Sequence, residues 1–336
     1  IFKDDNKTQI YIAEKTGEVL QLTTKESRFW SWIGAIPHWI YFYQLRQNRD
    51  LWIWTVKLLS FLGFIMVICG VFFAIYIIKK RRAKGINLIP YKKRDYKLHF
   101  ILGLIFGITT FTFTLSGFFS LAKAPKVFGK NEVAFNYNFK DYIPFSFYKL
   151  DYKSLVQHYE DRGIVQIEWT NFKGEPYYIV SLSNGEKLYV NASKSIPRDL
   201  YLSLEIVESV MQKWNLENSY SIEVLSRYDG NYIDRRGKLE LPVYKVVLND
   251  QLGTQIYIAP SNAYTKVITK QDRLQYFLYK KLHCLNFPFL VNNGLLWSVV
   301  MWFFMLGGTL LSISGIVLTV RYIIRKIGKK KDNEKG

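Results

Sequence analysis

The chain has 336 residues, of which 49% are hydrophobic and 17% aromatic, with a formal net charge of +19. Its apolar residues are gathered into three uncharged or nearly uncharged runs of 21, 25 and 26 residues, each meeting the roughly 20 that a helix needs to cross hydrocarbon, which argues against a purely soluble fold. The charge points away from nucleic acid: residues 79–97 hold nine basic residues and one acid, residues 321–336 hold seven and two, and basic clusters abutting apolar helices mark cytoplasmic flanks.

In chain order, residues 1–28 contain a hairpin of strands over 10–13 and 18–22, joined at Thr16-Gly17. Residues 29–50 are crowded with aromatics and predict an interfacial helix, which carries His38. A membrane helix follows over 51–78, then a basic loop over 79–96 with no nucleotide-binding turn. A second membrane helix over 97–122 places His99, Gly103 and Gly107 on one face. Those glycines favour close helix packing, a reading compatible with the sharper one of a flat slot beside the histidine.

Residues 123–273 predict an α+β domain. Short helices are expected over 152–160 and 202–214. Strands are expected over 164–172, 177–182, 187–190, 221–225, 243–248, 255–259 and 265–268. Here His158 reads as solvated, and Glu168, Asp161 and Asp229 are scattered without catalytic company. A second interfacial helix over 274–294 carries His283, a third membrane helix spans 295–324, and a basic tail closes the chain over 325–336. Charge asymmetry puts residues 1–50 and 123–294 outside the cytoplasm and the C-terminus within it. Cys69 and Cys284 make no disulfide framework.

The chain repeats itself. Thr8-Gln-Ile-Tyr-Ile-Ala13 returns as Thr254-Gln-Ile-Tyr-Ile-Ala259, and further on Arg28, His38, Trp52, Gly63 and Gly70 return 245 residues later as Arg273, His283, Trp297, Gly308 and Gly315. A fixed offset of this kind marks an internal duplication. His38 and His283 are therefore mates, expected to face each other across a pseudo-twofold axis. Two imidazoles on opposite sides of one iron make a bis-histidine haem, the arrangement suited to electron transfer. The mate of His99 would precede residue 1, so an upstream unit and a fourth membrane helix are expected in the intact protein.

The stretch Lys97-Leu-His-Phe-Ile-Leu-Gly-Leu-Ile-Phe-Gly107, with Leu115-Ser-Gly117 and Ile313-Ser-Gly315, resembles the PepSY-associated transmembrane helix family, and strand pairs such as 254–268 look like its PepSY units. The resemblance covers nearly the whole of 10–325, the missing first helix being the main departure. It implies a bacterial inner-membrane protein of iron acquisition with a periplasmic PepSY-like domain. His99, His38 and His283 would be haem b ligands beside Gly103 and Gly107. Its partners would be the bilayer, a quinol or redox-protein donor, and a ferric chelate or siderophore, which a haem-containing ferric reductase would reduce. The competing expectation is a non-enzymatic, membrane-anchored PepSY binding module, for which the histidines are dispensable.

Overall fold

A computed structural model describes residues 1–127, 138–213 and 220–333. The chain opens with the hairpin β1 (Gln9–Ile12) and β2 (Val19–Thr23). Three short helices follow, α1 (Lys25–Ile33), α2 (Ala35–Trp39) and α3 (Tyr43–Arg46), and then two long ones, α4 (Arg49–Ala83) and α5 (Arg94–Leu121). Next come α6 (Tyr152–His158), β3 (Ile164–Phe172), β4 (Glu175–Leu182), β5 (Lys187–Asn191), β6 (Arg198–Asp199) and α7 (Leu204–Lys213). After these lie β7 (Tyr220–Leu225), β8 (Val243–Leu248), β9 (Gln255–Ile258), β10 (Thr265–Ile268), α8 (Lys270–Tyr276), α9 (Leu282–Cys284), α10 (Pro288–Val291) and α11 (Gly294–Asn333). The expected end of the seventh helix at Trp214 lies outside the described residues. The chain forms two compact units, Ile1–Lys123 with Phe303–Gly336, and Ala124–Trp302.

In the first unit, α4, α5 and α11 are long and apolar enough to cross a membrane. Helix α5 lies between the other two and antiparallel to both. On one side Gly107 sits so near α4 that a methyl group there would come within 3.2 Å of Val71, and Phe64 meets Phe111 at 5.2 Å between rings. On the other side the Phe106 ring lies flat on Gly307 of α11, where a Cβ would overlap it. With apolar lipid outside, nothing hydrophobic drives such helices together, so small residues that let backbones approach supply the packing. At the basic ends, Asp95 pairs with Arg321, and Arg325 donates to the Tyr96 hydroxyl at 2.6 Å.

The second unit is α+β, as expected. Its two antiparallel sheets run β3-β4-β5-β6 and β10-β9-β8-β7. Alternation along β4 sends Tyr178, Val180 and Leu182 to a cluster with Leu155 of α6. Tyr177 turns to the opposite face, into a core shared with Val207, Val210 and Met211 of α7 and with Val246, Ile256 and Ile258 of the other sheet. Successive strand residues point to opposite faces, so a central strand covered on both sides has buried residues on both faces, as Tyr177 and Tyr178 are.

The two interfacial segments are not the single helices the aromatic pattern suggested. In the first copy the helix stops at Gly34 and restarts, giving α1, α2 and α3. In the second, α8 runs through a wide π turn over Phe277–Lys281 into α9. Hydropathy reports the apolar face of such a segment but not a local change of winding.

Candidate functional site

The duplication extends to the hydrogen bonds. In the first copy Asp4 takes the Thr8 backbone N–H at 2.7 Å and its hydroxyl at 2.6 Å; in the second Asp250 takes the same two groups of Thr254 at 2.7 and 2.5 Å. The Arg28 guanidinium reaches the Lys7 carbonyl at 2.8 Å, and Arg273 reaches that of Gly253 at 2.8 Å. Thr24 with Ser27, and Thr269 with Asp272, form reciprocal capping boxes that start α1 and α8. Each box satisfies two of the donors a helix leaves open at its N-terminus.

These starts lead to matching turns. His38 lies on α2, and two residues later Ile40 has a positive φ of 53°. His283 lies on α9, and two residues later Leu285 has a φ of 51°. Between each histidine and each left-handed residue, one carbonyl is clamped by an indole. Trp52 Nε1 donates to Trp39 at 2.9 Å, and Trp297 Nε1 donates to Cys284 at 3.0 Å. A left-handed Ile or Leu is sterically costly and needs surrounding structure to hold it. Each clamping indole also lies under a guanidinium, though the two arginines are not mates. Arg46 sits 4.4 Å from the Trp52 ring, and Arg235 sits 3.9 Å from that of Trp297. The His38 ring meets Trp39 edge-on at 6.0 Å, and the His283 ring lies 5.7 Å from Tyr279. His38 belongs to the first unit and His283 to the second.

His99 is half-buried within the helical layer. Its Nδ1 lies 2.8 Å from Ser314 Oγ of α11, and its Cε1 would be 3.5 Å from a Cβ placed on Gly315. The glycines that share its face are occupied by helix approach: Gly107 against Val71, and Gly103 with a Leu311 methyl at 4.0 Å from where its Cβ would stand. Their geometry supports the close-packing reading. The contact of Ser314 with His99 is not among the expectations from the sequence, where Ile313-Ser-Gly315 enters as a motif of the resemblance. The available signal was a hydroxyl at the position whose mate is Cys69.

The sequence reading also passed over Asp229. Its carboxylate accepts backbone N–H groups of Asn231 and Tyr232 at 2.8 and 2.6 Å and the Tyr257 hydroxyl at 2.8 Å, with Lys245 at 3.3 Å. Burial pushes this carboxyl up, but the backbone N–H groups, Tyr257 and Lys245 outweigh it and hold the pKa below the ordinary carboxylate value. Burial also depresses Lys266, which donates to the Asn231 carbonyl at 2.9 Å. The Asp-Gly-Asn turn was the sequence signal for this network. His158 is exposed, its ring 4.6 Å from that of Tyr159. Burial raises the Cys284 thiol above its ordinary pKa, so it is less of a thiolate than a free cysteine. Among the described residues no group of three or more His, Cys, Asp or Glu side chains converges.

No family model, curated protein or solved structure matches the chain.

Proposed function

We propose that this chain is a haem-binding electron carrier of a bacterial inner membrane that passes electrons to a ferric chelate, such as a ferric siderophore, outside the cytoplasm. The observation that carries the reading is the duplicated turn. Twice the chain builds a strained left-handed residue two positions after a histidine and clamps the carbonyl between them with an indole. Strain held in place by surrounding structure concentrates where a side chain must be aimed. The resemblance of the helix motifs to the PepSY-associated family supplies the cofactor and the substrate class.

The donor set fits a haem. Porphyrin provides four donors, so the protein need add only one or two imidazoles. His99 has Nδ1 engaged by a hydroxyl, as ligating histidines generally have one nitrogen engaged. His38, His99 and His283 would supply the imidazoles, no more than two of them to any one haem iron, and the group when bound would supply reversible one-electron chemistry. The residues themselves do the rest. Trp52 and Trp297 fix the turns that aim His38 and His283, and the helical layer of α4, α5 and α11 keeps His99 away from bulk water. Arg46 and Arg235, exposed and stacked on those indoles, offer positive charge to an anionic chelate or carboxylate. On this reading the α+β unit is the periplasmic, PepSY-like domain, and the basic ends of α4, α5 and α11 lie in the cytoplasm, in keeping with their Lys and Arg content.

The test is a reduced-minus-oxidised spectrum of the purified full chain, expressed with ample haem supply. Dithionite is expected to shift a Soret band and bring up an α band. Both should weaken in His99→Ala and in the His38→Ala/His283→Ala double variant. A folded protein without haem bands refutes the reading and favours an anchored binding module.

A further inference from the structure

We infer that Ser314 sets the tautomer of His99, and thereby decides which imidazole nitrogen is open to a ligand. Ser314 Oγ is 2.7 Å from the Leu311 carbonyl of its own helix and 2.8 Å from His99 Nδ1. A hydroxyl has one proton and two lone pairs, and a carbonyl can only accept. The serine proton therefore goes to Leu311, and Ser314 has only a lone pair left for the ring. Nδ1 must carry the hydrogen.

A neutral imidazole protonated at Nδ1 carries its lone pair on Nε2. No described residue hydrogen-bonds that nitrogen. In water a free imidazole side chain prefers the opposite tautomer, with hydrogen on Nε2 and the lone pair on Nδ1. The contact between α5 and α11 thus reverses the intrinsic preference. The ring lies beside Gly315, where an added Cβ would meet Cε1 at 3.5 Å, an ordinary contact. Ser314 is accordingly a positioning residue that acts through His99. This interhelical hydrogen bond orients the ring, fixes its proton and leaves a neutral nitrogen donor inside a layer of apolar helices. In a medium without competing water such a bond persists, because its alternative is an unpaired polar group in hydrocarbon.

The direct test is nitrogen NMR of the full chain, labelled with ¹⁵N in its imidazoles and held in lipid nanodiscs without added haem. The His99 signals are identified by their loss in His99→Gln. The wild type is expected to show a protonated Nδ1 and an unprotonated Nε2. Ser314→Ala should move the population toward Nε2–H, and Ser314→Thr, which keeps the hydroxyl, should restore the wild-type pattern. A wild-type His99 protonated at Nε2, or a tautomer unmoved by Ser314→Ala, overturns the inference. This arm needs no cofactor. A second arm rests on the proposed haem reading and uses the loaded protein. An acceptor at Nδ1–H makes the imidazole a stronger donor to iron, so Ser314→Ala should raise the midpoint potential and Ser314→Thr should return it. An unchanged potential overturns the role of Ser314 toward a ligand. Failure to take up haem overturns the proposed function and leaves the tautomer result standing.

Discussion

Tyr11 and Tyr257 are mates in the two copies of the repeat, and the hydroxyl of each lies within hydrogen-bond distance of a glutamine two residues back, Gln9 at 3.1 Å and Gln255 at 3.2 Å. Yet Tyr11 is 50% exposed and Tyr257 fully buried, and beside them Ile12 is 60% exposed while Ile258 is fully buried. The hairpin β1-β2 stands as a two-stranded sheet, whereas β9 has β10 on one side and β8 on the other. The caps, the Asp-Thr turns, the arginine bridges and the indole clamps are the same in both settings. Turn and cap chemistry is thus written locally, by side chains reaching backbone a few residues away. Burial is set by what lies alongside. The copies share a skeleton and differ in how much rests on it.

The largest test of that contrast is Ile258→Ala beside Ile12→Ala. The first should cost the α+β unit about 3 kcal/mol, as cavity-forming changes in a packed core do. The second should stay within about 0.5 kcal/mol, as at an open site. Thermal unfolding followed by tryptophan fluorescence measures both, and equal losses would erase the distinction. Next comes a change the copies should feel alike: Trp52→Phe and Trp297→Phe each remove an indole N–H from a turn carbonyl and should each cost about 2 kcal/mol. A loss confined to one copy would show that the clamp is not a shared device.

The smallest effect sharpens the difference, because only Tyr257 is also tied to Asp229. A carboxyl with a lowered folded pKa stabilises above its unfolded value, about 4, and that stability is lost as pH falls through the lower folded value. Between pH 6 and pH 3 the α+β unit should therefore lose stability to this group. Asp229→Asn should flatten that part of the profile. A wild-type melting temperature level across the range would contradict it.

Much of this was legible beforehand, and the reason is periodicity. The three long helices follow from uncharged runs, and strands such as β3, β8 and β10 have the bounds their alternation predicted. The duplication was readable because an offset survives whatever the surroundings do. The interfacial segments were misread as single helices because nothing in an aromatic count distinguishes a break at Gly34 from continuous winding. Ser314 was missed for a different reason. Its role depends on which face of α11 meets α5, and two uniformly apolar helices carry no amphipathic stripe to reveal that. Asp229 looked scattered because it lies in the loop after β7 while its partners Lys245 and Tyr257 sit on β8 and β9.

The wide turn over Phe277–Lys281 has a meaning for how this segment can change. Its midpoint, Tyr279, is the mate of Gly34, so one copy ends its first helix where the other loosens its coil, with equal numbers of residues on both routes. A π turn accommodates one residue more than an α turn does. The second copy thus carries slack upstream of His283, where a deletion could be taken up by rewinding while the downstream clamp keeps its register.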